Sequence, residues 1–247
     1  SGFQSLQFRL IETRLGLKRE NRLCVFHCEF DDPLCAASKD AIRGAEKEAT
    51  LFDRLDRWLE RTPFIKVGDY TFWKEYRVAV EKVFNEKIKG ARTALSGEVL
   101  EKELESLARG KEKFEGIFDA KRHAAALAEG RWRLSLPALQ AALFIIIYRH
   151  VPMLQAPYNL LMRVMDVDEL LARWRCRHAL MVQRMVGMGM GTGGSSGFEY
   201  LMKTVQSHRI FSDLFALSTY LIPTQSLPKL PESVSSEMNY KYSNEAK

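Results

Sequence analysis

The amino-acid sequence predicts an all-α fold, a bundle of helices, and three observations carry that expectation. Apolar residues recur at three- and four-residue spacing in almost every patterned stretch. No alternating apolar–polar segment of useful length occurs, and no internal repeat. Helix starters and breakers (Ser135 with Pro137, Pro63, Pro152) fall where those stretches begin and end.

Taken in order, Gln4 to Leu15 carries Leu6, Leu10 and Leu15 beside Phe3 and Phe8 and reads as one short helix. Residues 17–39 are irregular. Ala45 to Arg61 places Leu51, Leu55, Trp58 and Leu59 on one face, and Pro63 ends that helix because proline disfavours helical geometry just before itself. Thr71 to Lys89 repeats the pattern with Phe72, Tyr76, Val80, Val83 and Phe84. Ser96 is placed to cap a further helix whose stripe is Leu100, Leu104, Leu107, Phe114 and Phe118. The opposite face is highly charged, so 70–127 reads as a long exposed helix or a helical hairpin, with Gly110 its weak point.

Ser135 caps a helix with Pro137 in its first turn, where the missing N–H costs nothing; it runs through LQAALFIIIYRH and stops before Pro152. Asp166 and Glu169 in MDVDELL have capping-box spacing and predict a helix from there to about Val186. A glycine-rich segment, GMGMGTGGSSG (Gly187 to Gly197), follows, and FEYLMKTVQSHR and SDLFALSTYLI are helical again. From Pro223 the chain is polar. The expected organisation is a helical domain over 1–223 and a mobile tail over 224–247.

A chain of 247 residues can build one sizeable core or two small ones, and 46% hydrophobic with 28% charged residues is ordinary for a globular protein. The most apolar run, Leu139 to Tyr148, is too short to span a bilayer, so no membrane association is expected. The net charge of +6 comes from 37 basic and 31 acidic residues interleaved along the chain, which argues against a nucleic-acid partner. Cys24, Cys28, Cys35 and Cys176 form no dense disulfide pattern, and a reducing cytoplasm is the expected setting. The segment CVFHCEFDDPLC, with Cys24, His27, Cys28 and Cys35, lacks a matching distal ligand pair, so free thiols are favoured over zinc. The chain opens at Ser1 directly into patterned sequence, which reads as a fragment, a processed chain or an incomplete gene product.

The chemistry concentrates around His178. Its helix carries an apolar stripe of Leu170, Leu171, Trp174, Met181, Val182 and Met185, and His178 shares a face with Trp174 and Met181. An imidazole among apolar neighbours facing a helical bundle suits an axial metal ligand; a core histidine bonded to a carbonyl has the same spacing. His150 and His208 are the other candidate ligands. GTGGSSG, residues 191–197, is not a phosphate-binding loop, since it lacks the GK[ST] ending and follows a helix. It reads either as a connector or as a lid whose backbone and Thr192, Ser195 and Ser196 hydroxyls approach a ligand.

The run RWRCRHALMVQRMVGMGMGTGGSSGFEYL, followed by SDLFALSTYLIP, resembles the haem-ligand helix and substrate loop of the tryptophan 2,3-dioxygenase family. SGFQSLQFRLIE and RWRLSLPALQAALFIIIYR are similar to other stretches of it, and the matches reach from residue 1 to about 223. The resemblance implies a bundle enclosing a haem b pocket, with His178 as proximal iron ligand and Trp174 packed near the haem. It implies that Thr192 contacts the ammonium of L-tryptophan, and that Ser1 and Gly2 border the distal pocket. It further implies a homotetramer that inserts both atoms of O2 across the indole C2–C3 bond to give N-formyl-L-kynurenine. The family's distal His, its carboxylate-binding Arg and its indole-walling aromatics match nothing here, because they lie upstream of SGFQS. This chain is therefore expected to supply the proximal side and one wall of the pocket, and not to turn tryptophan over efficiently alone. The alternative reading is a truncated, non-catalytic haem-binding or helical interaction protein.

Overall fold

The computed structural model describes residues 2–17, 33–187 and 197–239. Among them are eleven α-helices: α1 (Gly2–Leu15), α2 (Pro33–Ala45), α3 (Leu51–Glu60), α4 (Phe72–Ala94), α5 (Gly97–Phe118), α6 (Ala120–Ala128), α7 (Leu136–Ile147), α8 (Pro152–Val186), α9 (Gly197–Ser207), α10 (Ser212–Ala216) and α11 (Glu232–Met238). Two short 3-10 turns follow α10, at Leu217–Tyr220 and Thr224–Ser226. The fold is all-α, as the apolar spacing predicts. One detail that spacing does not reveal is a two-stranded antiparallel ribbon, β1 (Lys66–Val67) with β2 (Tyr70–Thr71), in which Lys66 pairs with Thr71 and Val67 with Tyr70. Gly68 turns it at φ +56°, a conformation open to glycine at little cost.

The chain divides into two compact units: Ser1–Arg57 with Met162–Ser212, and Trp58–Leu161 with Asp213–Lys247. The division falls inside α3 and α8.

In the second unit α7 is the core element. Ser135 accepts from the Ala138 N–H, with Pro137 in the first turn, as the sequence indicates. Ala138, Leu139, Ala141, Ala142, Phe144 and Ile145 are completely buried. Phe72 of α4 meets Phe144 edge-on at 4.9 Å and Tyr148 at 5.5 Å. The charged stretch over 70–127 is a helical hairpin: α4 and α5 are joined by Leu95 and Ser96 and pack on each other through Phe84 and Phe114, 5.7 Å apart. Arg77 and Glu115 add an ion pair of 2.6 Å. Ser96 occupies the cap position of α5 but makes no side-chain cap bond. Gly110 does not break α5; a Cβ there would come within 3.2 Å of the Phe84 ring, so the glycine makes room for that aromatic. Asp119 caps α6, accepting from the Lys121 and Arg122 N–H groups, and those bonds hold its carboxyl below the ordinary value.

Within residues 224–239, the first part of the stretch read from composition as a tail, the structure has a 3-10 turn and α11. Val234 and Met238 of α11 are buried, and the Tyr148 hydroxyl donates to the Pro228 carbonyl at 2.6 Å. A few well-placed apolar side chains anchor a segment whose average composition is polar.

In the first unit, Thr50 and Asp53 form a reciprocal capping box at the start of α3: the Asp53 N–H donates to Thr50 Oγ1 and the Thr50 N–H to Asp53 Oδ2. Gly16 ends α1 at φ +100°, and a Cβ there would lie 2.7 Å from Thr50 Oγ1 and 2.8 Å from Phe52 Cβ. Any side chain at position 16 would collide with the entry to α3.

Candidate functional site

The helix carrying His178 is longer than its sequence signals suggest. α8 runs unbroken for 35 residues from Pro152 to Val186, with Pro157 inside it. The capping-box reading of Asp166 and Glu169 is therefore corrected: Asp166 lies in mid-helix, and its carboxylate accepts from Arg163 Nη1 at 3.2 Å on an exposed face. Acidic residues three apart serve equally well as cap or as helix surface.

Asp168, two residues on, is fully buried. Its carboxylate accepts from the Ile210 N–H at 3.1 Å and the Phe211 N–H at 3.1 Å, anchoring the segment after α9. Ala172, Arg175 and Ala179 continue this buried face at helical spacing.

Arg175 is the hub of the face. Its Nη2 donates to Glu12 Oε1 on α1 at 2.6 Å, and its Nη1 donates to the His208 carbonyl at 2.7 Å. Its guanidinium also lies over the Phe8 ring, 5.8 Å from the centroid. One side chain thereby ties α1, α8 and the segment after α9 together.

An adjacent row of α8 is apolar and partly exposed. Leu170 is 57% exposed, Trp174 43%, Met181 51% and Met185 76%. His178 lies among them, half-buried. The expectation that the whole stripe faces the bundle is corrected, because α8 has one buried face and a second apolar row that stays partly exposed, touched by α1 through Phe8 on Trp174. Helical periodicity identifies apolar faces without saying which one the protein itself buries.

His178 is held by rings. Its imidazole stacks on the Trp174 indole with centroids 5.2 Å apart and planes 4° from parallel. The indole in turn stacks on Phe8 of α1, at 3.7 Å and 16°. The structure thus brings together two predicted residues, Trp174 and His178, with three that sequence reasoning missed: Phe8, Glu12 and Arg175.

Of the other candidates, Gly2 is the first residue of α1, while Ser1 and Thr192 lie outside the described residues. His150 is exposed. His208 is half-buried, with its carbonyl engaged by Arg175. Cys24, His27 and Cys28 also lie outside the described residues, and Cys35 is the third residue of α2. Among the described residues no group of three or more His, Cys, Asp and Glu side chains could hold a metal ion. A fifth histidine, His123, is buried and bonded through Nε2 to the Leu134 carbonyl at 2.9 Å, a structural role. Among the described residues no single helix is long and apolar enough to cross a membrane.

Comparison with known proteins identifies the family. The family model for tryptophan 2,3-dioxygenase matches residues 1–221. The tryptophan 2,3-dioxygenase of Bdellovibrio bacteriovorus is 38% identical over 244 residues, covering 98% of this chain and 68% of that protein. The Alteromonas mediterranea protein of the same name is 39% identical, over 97% of this chain and 67% of the relative. For the Xenopus laevis protein the figures are 40%, 95% and 58%. The chain thus spans about two thirds of the length of the bacterial relatives and less of the amphibian one. Identity at this level over nearly the whole chain establishes that it belongs to the tryptophan 2,3-dioxygenase family.

Proposed function

We propose that this chain provides the haem-anchoring side of a dioxygenase that inserts O2 across the indole C2–C3 bond of L-tryptophan, giving N-formyl-L-kynurenine, with His178 as the axial ligand of haem b. The observation that carries the reading is the partly exposed apolar row of α8, with a half-buried imidazole at its centre. Monomeric proteins rarely leave a contiguous row of Leu, Trp and Met side chains in water without a function for it. Family membership supports the same reading.

The residues present fit a haem. A single neutral imidazole suffices as protein ligand, so the absence of a multi-residue metal cluster among the described residues is compatible with it. Leu170, Trp174, Met181 and Met185 offer apolar surface for a porphyrin face. Exposed Arg173 and Arg177 on the same helix offer cations for its carboxylates. When bound, the haem would supply the iron at which O2 is activated.

The chain's own residues do the rest. His178 presents a ring nitrogen, and the apolar side chains beside it exclude water. By the resemblance, the Thr192 hydroxyl accepts from the substrate ammonium, and Ser1 and Gly2 border the opposite side of the pocket. We place the protein in a reducing cytoplasm, from its cysteine usage, as a homotetramer; sedimentation of the haem-loaded protein checks the assembly.

The test is His178→Ala. The side chain is half-buried on a partly exposed row, so helix content by circular dichroism should be retained while stoichiometric haem uptake and the Soret band are lost. A variant with the parent's haem content and Soret band overturns the ligand assignment. His150→Ala and His208→Ala should leave both readouts unchanged.

A further inference from the structure

We infer that Phe8 and Trp174 are positioning residues that fix the plane of the His178 imidazole through a three-ring stack, and so orient the nitrogen it presents to iron. The inference rests on His178 being the ligand. A ligating histidine needs its ring plane set, and proteins commonly do this with a hydrogen bond to the second ring nitrogen. Among the described residues the His178 ring has no hydrogen bond; its contact is the Trp174 indole, 4° from parallel at 5.2 Å. That indole is itself stacked on Phe8 of α1, at 3.7 Å and 16°. An imidazole packed face to face against the indole cannot turn about its Cβ–Cγ bond without displacing that ring, so the stack restrains the torsion that turns it.

The column has a rigid base. Phe8 is one helical turn before Glu12 on α1, and Trp174 adjoins Arg175 on α8. The Glu12–Arg175 pair, at 2.6 Å, clamps the two helices at that point, and the Arg175 guanidinium covers the Phe8 ring. Phe8 thus lies beneath the guanidinium of a buried ion pair. The imidazole is held by α1 although it is attached to α8.

The test uses the full chain loaded with haem. Trp174→Leu is the main variant, since Trp174 is 43% exposed and leucine keeps an apolar side chain there, so the change should not unfold the protein. Haem should still bind, but the iron–imidazole stretching band of the ferrous form should shift and broaden, and the ferric electron-paramagnetic signal should change rhombicity. Haem transfer to apomyoglobin should be about three- to tenfold faster. Phe8→Leu should move the same readouts in the same direction, and Trp174→Phe should restore them. In the haem-free chain, the His178 ring-proton resonances should move downfield in Trp174→Leu as the indole ring current is lost. Trp174→Leu and Phe8→Leu proteins with the parent's stretching band and haem-transfer rate overturn the inference while leaving His178 as ligand. Unchanged ring-proton shifts overturn it without reference to haem. A parent-like Soret band in His178→Ala would remove the ligand reading first, and this inference with it.

Discussion

Arg175 Nη2 lies 2.6 Å from Glu12 Oε1, and the two side chains are 5% and 2% exposed. Such a pair is asymmetric in its energetics: the intact bridge contributes little beyond a well-packed apolar pair, but breaking it strands a charge in the interior. Arg175→Met should destabilise the protein by about 3–5 kcal/mol in urea denaturation. Glu12→Gln, which keeps an acceptor, should cost less. The double variant Glu12→Met/Arg175→Met should recover part of the loss; strict additivity of the single effects would show that the pair is not coupled.

Asp168 should be the other sensitive charge of α8. Asp168→Ala leaves the buried Ile210 and Phe211 N–H groups without their carboxylate, at about 1–3 kcal/mol for each. Hydrogen exchange at those two amides should accelerate before that of α8 itself. Asp168→Asn retains one acceptor and should fall between. Equal protection at 210 and 211 in parent and Asp168→Ala would show that other groups hold the segment.

Three tyrosines of the second unit predict an alkaline limit. Burial, with the Glu75 carboxylate adding, pushes Tyr70 up to about 12, and burial raises Tyr76 and Tyr148 as well. A raised folded-state pKa means that the unfolded chain loses these protons first. Their stabilising contribution is therefore complete below the ordinary value of 10 and is lost as pH rises toward 12. Midpoints of urea unfolding should be flat through neutral pH and fall above about pH 10. Tyr70→Phe should reduce that fall at little cost at neutral pH, because its buried hydroxyl has no hydrogen-bond partner among the described residues. An unchanged alkaline slope would assign the effect to other groups.

Thr192→Ala should weaken tryptophan binding to the haem-loaded chain by roughly tenfold or more, the worth of about 1.5–3 kcal/mol for a hydrogen bond to a charged group. Spectral titration measures it. Thr192→Ser should bind like the parent, and haem content should be equal in all three. Parent-like affinity in Thr192→Ala would remove the ammonium contact from the proposal.

What could be read from the sequence divides by range. Ser135 with Pro137 and the break before Pro152 were legible because each signal and its consequence lie within a turn of one another. The ligand candidate His178 was legible from spacing and from the resemblance around it. Glu12 and Arg175, 163 positions apart, carry no local mark of their pairing, and neither does Asp168 with amides more than 40 positions on. Phe8 looked like one more apolar residue of α1, since stacking on Trp174 depends on where tertiary packing brings α1. Asp166 misled for the converse reason: its spacing to Glu169 fits a helix start, but the preceding turn was already helical and supplied Arg163 as partner.

Consecutive residues of a helix are about 100° apart around its axis, so Arg175 faces one way and its neighbour Trp174 another. The Glu12 bridge therefore acts as a key in the shaft of α8. A rotation of one residue would pull the guanidinium off its carboxylate and swing the whole row Leu170, Trp174, His178, Met181 through the same angle. Sequence changes that conserve every apolar residue of that row, yet move the arginine by a single position, would leave a chain that still folds into helices and aims its histidine at nothing.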